Sequence, residues 1–303
     1  MSKTTSFALA GLAWAASVTA QEGYSFKFLY LLPEGDKGYT LNDPNAIGLD
    51  PVGNLYIADT GNNRILKLNQ EGELLASVGG FGWENEQFDQ PLDVDASNGL
   101  DVFVADFNNE RIERYDRDLN YLSSFKSPEN TPPELRFGFP VSVGISRHGE
   151  LFICDSENNR VLKLGPEGEP SSTFGDYNWG DGKLEKPVRI RIDARDQVYV
   201  ADVDARCVVV FDYHGNYLYR IGREWLREPR GITWLGKTLV ITDTGLHQLI
   251  VCGEDARPQS RLGNEGTGLG AFKRPVDAVI DGNKLFVLDS GNARVQVFEL
   301  VPR

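Results

Sequence analysis

Cysteine and long hydrophobic runs are scarce in this sequence, and each scarcity excludes a class of protein. Only three cysteines occur in 303 residues, and no two of them form a C-x-x-C pair. An odd count without that spacing argues against a disulfide framework and against a cysteine-based zinc cluster. Beyond residue 20, no apolar run is long enough to span a membrane, so no transmembrane segment is expected. The cysteines lie in apolar runs, where we expect buried free thiols: Cys154, Cys207 and Cys252.

Positive charge is also in short supply. The chain has 31 lysines and arginines against 44 aspartates and glutamates, which gives a net charge of −13. A surface this acidic repels phosphate backbones, so we expect no nucleic-acid partner. The composition, 41% hydrophobic and 25% charged, is still that of a folded chain with a substantial core.

The first 20 residues differ in character from the rest. Lys3 precedes the apolar run FALAGLAWAASV, and small residues lead up to Ala20. A basic start, a short apolar core and small residues before a break are typical of a signal peptide. We therefore predict a signal peptide over residues 1–20 and an exported protein, either periplasmic or extracellular. A buried N-terminal helix is the alternative interpretation.

One pattern repeats through the remainder of the chain. Each unit begins at a proline and passes through a turn into a run such as LYIAD, which ends in aspartate. A short polar loop, a run such as RILKL, a second turn and a fourth apolar run follow. Four strands in a repeat of this length are typical of a β-propeller blade. The six units begin, at intervals of 42 to 49 residues, at Pro44, Pro91, Pro140, Pro187, Pro229 and Pro275.

Only three strands can be assigned to the sixth unit, which ends at Phe298. An unassigned strand-like run, FKFLYLL from Phe26 to Leu32, precedes the first unit. If that run pairs with the last unit, the ring closes and no broken sheet remains. The sequence thus predicts an all-β, six-bladed β-propeller over residues 21–303, with the N-terminal strand closing the last blade.

The shared pattern, a proline and then L-Y-[IV]-A-D-[TS]-x-N-x-R-[IV], resembles the NHL repeat. All six units have the proline, the strand-end aspartate and the spacing between them. Units four and five depart from the pattern, because Cys207 and Gln248 stand where the others have arginine. The resemblance implies a six-bladed propeller and fixes no activity, since function has to be argued from a site.

Aspartate ends the second predicted strand of every unit. Two of these residues, Asp59 and Asp243, stand in D-T-G triplets like those of aspartic proteases, in which two aspartates share one proton. A protease needs two special aspartates, whereas here six equivalent ones lie on separate blades of a ring. We therefore interpret them as structural staples that cap loop N–H groups and pair with a following arginine. The predicted staple residues are Asp59, Arg64, Asp106, Arg111, Asp155, Arg160, Asp289 and Arg294, and the units without the arginine contribute Asp202 and Asp243.

Two arrangements could support catalysis. Amidating lyases of similar fold hold zinc with three histidines, and this chain has His148, His214 and His247. These histidines fall in turns on different faces of the predicted ring, so we expect solvated side chains, no bound metal and no cofactor. A structural calcium or a catalytic zinc is left open.

The second arrangement lies at the ring axis, where the residue two positions after each proline should point. Asp93, Arg189 and Asp277 occupy three of these positions and form a candidate channel mouth. They could hold a cation or a polar ligand, or they could pair with one another, which is the interpretation we favour. A metal-assisted lyase or hydrolase at this channel is the alternative function.

The connections from each fourth strand to the next first strand carry aromatic and basic residues. We call the face that they share with the loops between second and third strands the upper face. Tryptophan and arginine dominate binding hot spots, and loops on a rigid scaffold often carry binding residues. The sequence thus favours a non-enzymatic binding or scaffold module for a protein, peptide or glycan. The candidate binding residues are Trp83, Trp179, Trp225, Arg227 and Arg230.

Overall fold

The computed structural model describes residues 23–302, apart from Glu34, Asp36 and Glu254. Its strands form six four-stranded sheets, and the paired strands are antiparallel throughout. The predicted signal peptide over residues 1–20 lies outside the described residues. Within them, no helix has the length and apolar character that crossing a membrane requires.

The strands follow one another along the chain in the order of the blades. A first strand, β1 (Tyr24–Leu32), precedes blade 1. Blades 1 to 3 consist of β2 (Ala46–Leu49), β3 (Leu55–Asp59), β4 (Arg64–Leu68), β5 (Leu74–Gly79), β6 (Pro91–Asp95), β7 (Asp101–Asp106), β8 (Arg111–Asp116), β9 (Tyr121–Phe125), β10 (Pro140–Ile145), β11 (Leu151–Asp155), β12 (Arg160–Leu164) and β13 (Pro170–Phe174).

Blades 4 and 5 repeat this arrangement, and four single-turn 3-10 helices lie in the loops. The remaining strands are β14 (Pro187–Ile192), β15 (Val198–Asp202), β16 (Cys207–Phe211), β17 (Tyr217–Ile221), β18 (Pro229–Leu235), β19 (Thr238–Asp243), β20 (Gln248–Cys252), β21 (Pro258–Leu262), β22 (Pro275–Asp281), β23 (Lys284–Asp289) and β24 (Arg294–Pro302). The short helices span Thr60–Asn62, Pro133–Leu135, Gly180–Gly182 and Ser290–Asn292.

The core lies between blades. Each of six apolar clusters combines side chains from two neighbouring blades, so every blade is covered on both faces. The second strands β3, β11 and β15 are accordingly buried at every position. A strand that is buried on both faces reads as a continuous apolar run, as LYIAD does, rather than as an alternation.

The N-terminal strand closes the ring. In the sixth sheet the order is β1–β24–β23–β22, and β1 pairs with β24 from Tyr24 opposite Pro302 to Leu32 opposite Val295. Phe26 and Phe298 are both buried in the cluster between blades 5 and 6. The predicted all-β, six-bladed propeller with its closing N-terminal strand is therefore confirmed.

The three cysteines are buried and unpaired, as predicted. Burial raises the pKa of the Cys252 thiol to about 12. Such a thiol is protonated at neutral pH and acts as a small apolar side chain.

Ring closure by β1 is testable with Phe26→Ala. Truncating this buried ring should lower the free energy of unfolding by about 3–5 kcal/mol, because it removes apolar burial and leaves a cavity. Urea unfolding measures the loss. The matched control is Lys27→Ala, whose side chain is 65% exposed on the same strand. Equal losses for the two variants would contradict the role given to β1.

Candidate functional site

The six strand-end aspartates are buried and share one bonding pattern. Each carboxylate accepts a backbone N–H, at 2.6–3.2 Å, from the connection that leads into its own blade. A buried carboxylate is costly unless it is hydrogen-bonded, so these bonds hold each connection over the end of the second strand. The donors are Asn42 to Asp59, Asp89 to Asp106, Gly138 to Asp155, Glu185 and Lys186 to Asp202, Arg227 and Glu228 to Asp243, and Lys273 to Asp289.

Arginine extends this pattern in four blades. Its Nε donates to the aspartate at 2.7–3.0 Å, and its Nη groups donate to backbone carbonyls of the same connection. An asparagine from the intervening loop also bonds each of these four carboxylates, namely Asn62, Asn109, Asn158 and Asn292. The four pairs are Asp59–Arg64, Asp106–Arg111, Asp155–Arg160 and Asp289–Arg294.

Blades 4 and 5 obtain an arginine from a different strand, which the sequence reasoning missed. In blade 4, Arg220 on β17 donates to the carbonyls of Asp181 and Lys183 in the connection into that blade, and it lies 3.7 Å from the sulfur of Cys207. In blade 5, Arg261 on β21 bonds Gln248 at 3.1 Å. The sequence does carry a signal, because blades 1 to 3 have serine or threonine at this point of the fourth strand.

The candidate channel mouth is closed by ion pairs. Arg189 crosses the axis from blade 4, pairs with Asp93 of blade 2 and lies 3.6 Å from Asp277 of blade 6. Arg191, two residues further along the same strand, bonds Asp93 at 2.9 and 3.1 Å and Asp277 at 3.3 Å. The side chains of Asp93, Arg189 and Asp277 are essentially buried, whereas the side chain of Arg191 is 14% exposed. The two arginines thus neutralise the two carboxylates inside the ring.

The two channel carboxylates differ in their proton affinity. Burial alone would raise the pKa of Asp93, but Arg189 and Arg191 outweigh burial and hold that pKa below its usual range. For Asp277, burial outweighs the same two arginines and raises the pKa. Asp93 is therefore the stronger acid of the two. Its remaining bonds come from Ser142 and from the backbone N–H of Val94 and Val143.

Asp93→Asn tests how much this channel cluster contributes to the stability of the fold. The change removes one negative charge from beside the buried guanidinium group of Arg189 and the largely buried one of Arg191, so the free energy of unfolding should fall by about 3–5 kcal/mol. Urea unfolding gives the value, and Asp118→Asn serves as the control because that side chain is 64% exposed in its pair with Lys67. A loss for Asp93→Asn no larger than that of the control would contradict the assignment.

The most exposed aromatic pair of the upper face lies in one connection, which we call the Trp83 loop (residues 80–90). The side chains of Phe81 and Trp83 are 68% and 70% exposed. Arg111 nevertheless fixes the backbone beneath them, because it donates to the carbonyls of Trp83, Glu84 and Gln87 at 2.6–3.0 Å. The loop is therefore rigid while its two aromatic side chains face solvent.

A second loop of the same construction shows which residues this backbone requires. In the connection into blade 6 (residues 263–274), a parallel bridge joins Glu265 to Phe272, just as one joins Phe81 to Phe88 in the Trp83 loop. Arg294 binds carbonyls there as Arg111 does in the Trp83 loop. The phenylalanine before the proline is fully buried in both loops. The positions of Phe81 and Trp83 are taken by Glu265 and Thr267, so the backbone does not need exposed aromatic residues there.

The other predicted upper-face residues lie on different blades from Trp83. Trp179 lies on the connection into blade 4, Trp225 and Arg227 lie on the connection into blade 5, and Arg230 lies on β18. Within the described part of the chain, no hydrogen bond, ion pair or ring contact links any of them to Trp83. Trp179 is 37% exposed and donates its indole N–H to the carbonyl of Gly215 in blade 4. Trp225 packs against the cluster between blades 4 and 5, and Arg230 pairs with Glu228 at 2.9 Å. Arg227 remains exposed.

A buried glutamate lies beneath the Trp83 loop. Glu113 sits two residues after Arg111 on β8, 2.9 Å from its guanidinium group, and accepts a hydrogen bond from the Tyr115 hydroxyl. Burial raises the pKa of Glu113 to about 7 in spite of these partners. The equivalent residue in blade 6 is Gln296, which bonds the N–H of Gly270 and the carbonyl of Ala271. A neutral amide thus fills the same place without a buried charge.

The raised pKa of Glu113 makes stability depend on pH. The folded state binds this proton more tightly than the unfolded chain, whose glutamate pKa is 4.5. The proton on Glu113 stabilises the folded state fully below about pH 4.5. This stabilisation is lost as the pH rises through about 7, at roughly 1.4 kcal/mol for each unit by which the two pKa values differ. At pH 8, Glu113→Gln should therefore raise the free energy of unfolding by about 2–3 kcal/mol, and at pH 4 it should change little.

Urea unfolding at several pH values measures this difference. The control is Glu110→Gln, because Glu110 is exposed beside the same arginine. A Glu113→Gln effect that is equal at pH 4 and pH 8 would show that the carboxyl does not titrate there.

The three histidines do not share one site: the rings of His148 and His214 each lie 5.5 Å from the ring of Tyr213 on the lower face, whereas His247 lies in the loop between β19 and β20. His148 is 3.6 Å from Asp196 on the lower face, His214 is exposed in the turn after β16, and His247 accepts a bond from the backbone of Arg274. Among the described residues, no group of three or more His, Cys, Asp or Glu side chains is arranged to hold a metal ion.

Comparison with known proteins supports the fold and the repeat. The family model of the NHL repeat matches residues 272–298. Protein brain tumor of Drosophila melanogaster is 23% identical over 146 residues, which are 48% of this chain and 13% of that protein. Human NHL repeat-containing protein 3 is 32% identical over 114 residues, 34% of this chain and 33% of that protein. The chain thus spans a third or less of the length of these two relatives.

Among solved structures, virginiamycin B lyase from Staphylococcus aureus matches with a TM-score of 0.61 and 14% identity, over 92% of this chain and 88% of that one. This likeness shows the fold alone. The sheets, their closure and these matches define a six-bladed β-propeller. The sixth unit matches the NHL repeat, and parts of the chain are similar to NHL-repeat proteins. Such a fold supports a binding or scaffold role.

Proposed function

We propose that the protein is a binding or scaffold module whose upper face recognises a protein or peptide through the Trp83 loop. The observation that carries this proposal is the pair Phe81 and Trp83. These side chains are about 70% exposed on a fixed backbone that needs neither of them. A rigid loop that presents exposed aromatic residues binds at a low cost in conformational entropy.

The surroundings of the two aromatic residues favour a particular partner chemistry. Glu84 and Glu86 are exposed in the same loop, and the whole chain carries a net charge of −13. A pocket of about 380 Å³, lined by Phe81, Asp89 and Gln90 among others, opens beside the loop. We therefore propose a partner segment with apolar side chains flanked by lysine or arginine, which can also make cation–π contacts with Trp83.

This proposal narrows the wider upper-face surface expected from the sequence. Trp179 and Trp225 have packing contacts of their own, so of the five candidates Trp83 and Arg227 are the ones most available to a partner. A glycan partner stays a further possibility for the same face. Export to the periplasm or outside the cell stays a prediction from residues 1–20.

A metal-assisted lyase or hydrolase at the channel is the alternative, and the geometry supports it less well. Cation binding there would need free carboxylate oxygens, whereas Asp93 and Asp277 are already engaged by two arginines. The resemblance in fold to virginiamycin B lyase carries no residue of that enzyme's site to this chain. Binding at the upper face does not require an open channel, and for this reason we prefer the binding role.

The double variant Phe81→Glu with Trp83→Thr tests the proposal. It installs the residues found in the equivalent loop of blade 6, so the melting temperature should stay within a few degrees of the original. After a partner has been isolated by crosslinking to the intact protein, its affinity is measured by calorimetry. Because an aromatic hot spot contributes about 2 kcal/mol or more, the double variant should bind at least about 30-fold more weakly.

The matched control for this test is Leu100→Thr. Leu100 is 73% exposed, like the two aromatic residues, but it lies in the turn between β6 and β7 on the lower face. Its replacement should leave the affinity unchanged. If instead the double variant bound as well as the original protein, the Trp83 loop would not be the recognition site.

A further inference from the structure

The lower face has a cleft that the proposed function does not use. It lies between the turn after β14, which contains Asp193 to Arg195, and the turn after β18, which contains Gly236 and Lys237. Its volume is about 440 Å³, and Ile192 and Trp234 form its inner wall. The same two side chains also line a funnel of about 200 Å³ at the lower end of the central channel. The two spaces adjoin at this wall, and the cleft has the size typical of small-molecule sites.

Trp234 is the unusual residue in this cleft. It is the fifth residue after the blade's proline, a position that holds an aliphatic side chain in the other blades. A propeller therefore forms without an indole at this point. The residues at the equivalent positions are Leu49, Ala96, Ile145, Ile192 and Ile280.

The indole is held in place and only partly buried, against the cluster between blades 4 and 5. Its ring meets Tyr199 edge-on, with centroids 5.2 Å apart and planes at 78°, so neighbouring packing fixes its orientation. The residues beside it in the two turns are small, namely Ala194 and Gly236. A side chain added at Gly236 would meet no atom within 4 Å, which shows that the space next to the turn is open. A flat ring can therefore lie against the indole.

Two cations stand at the rim of the cleft. Arg195 is 73% exposed and is held by Asp193 through bonds of 3.0 and 3.1 Å, so this pair is neutral. Lys237 is exposed and makes no ion pair within the part of the chain described by the structure. The rim thus has one uncompensated positive charge, on a protein whose net charge is −13. One net charge fits a monoanion better than a dianionic phosphate.

We propose that this cleft binds a small ring-bearing carboxylate. The ring lies on the indole of Trp234, and the carboxylate lies between Lys237 and Nη1 of Arg195, which has no hydrogen-bond partner among the residues that the structure describes. Both an aromatic acid and a sugar acid have this chemistry. The site is on the face opposite the Trp83 loop and does not rest on the proposed function.

The test uses benzoate and glucuronate as probes, with benzyl alcohol and glucose as their neutral counterparts. Binding to the whole protein is followed by calorimetry and by saturation-transfer NMR. A ligand of this size should bind with a Kd on the order of 1 mM. At least one of the two acids should bind at least about tenfold more tightly than its neutral counterpart, and the acid that does so identifies the source of the ring.

Two single variants locate the binding. Trp234→Ile installs the residue of the equivalent position in blade 6 and should weaken the bound acid at least about tenfold. Lys237→Gln should remove most of the preference for the acid over its neutral counterpart and should leave the melting temperature unchanged. Trp83→Thr, on the other face, should change neither the affinity for the acid nor the preference for the acid over its neutral counterpart.

The proposal would be overturned if neither acid bound more tightly than its neutral counterpart, or if phenyl phosphate bound better than benzoate. It would also be overturned if Lys237→Gln kept the full preference for the acid. Because Lys237 is exposed, that last result could not be attributed to misfolding.

Discussion

The buried aspartate at the end of each second strand is the interaction on which the ring depends. Each carboxylate is removed from water and accepts N–H groups of the connection that enters its own blade. A blade and the chain that enters it are therefore held together by one side chain, repeated six times around the axis. The same bonds fix the upper-face loops, so the rigidity of the Trp83 loop is a by-product of how the ring is built.

The features of the fold that repeat from blade to blade could be predicted from the sequence. Six prolines and six strand-end aspartates gave the number of blades, and the spare strand-like run at Phe26 gave the closing strand. Arg191 was within reach of the same reasoning, because residues two apart on a strand point the same way and Arg189 had already been assigned to the axis. The D-T-G triplets no longer indicated an aspartic protease once the repeat was recognised, because a ring keeps Asp59 and Asp243 on different blades.

What the sequence could not provide depends on contacts between blades. Trp179 looked free of any repeated role, yet its indole N–H reaches a turn of the following blade, a contact set by the twist of the sheets. Arg220 replaces a missing arginine from a neighbouring strand, which a strand-by-strand reading does not reveal. Glu113 reads as an ordinary polar residue of a strand until the loop above it is seen to exclude water.

The pairing of β1 with β24 also orders events in time. During synthesis β1 leaves the ribosome before any complete blade, and its partner emerges only after five other blades have been made. Until then the apolar side chains that β1 contributes to the junction of blades 5 and 6, Phe26 among them, have nothing to pack against. The nascent chain therefore exposes apolar surface at both ends of the incomplete ring, and this is the stage at which it is most prone to aggregate and most in need of a chaperone.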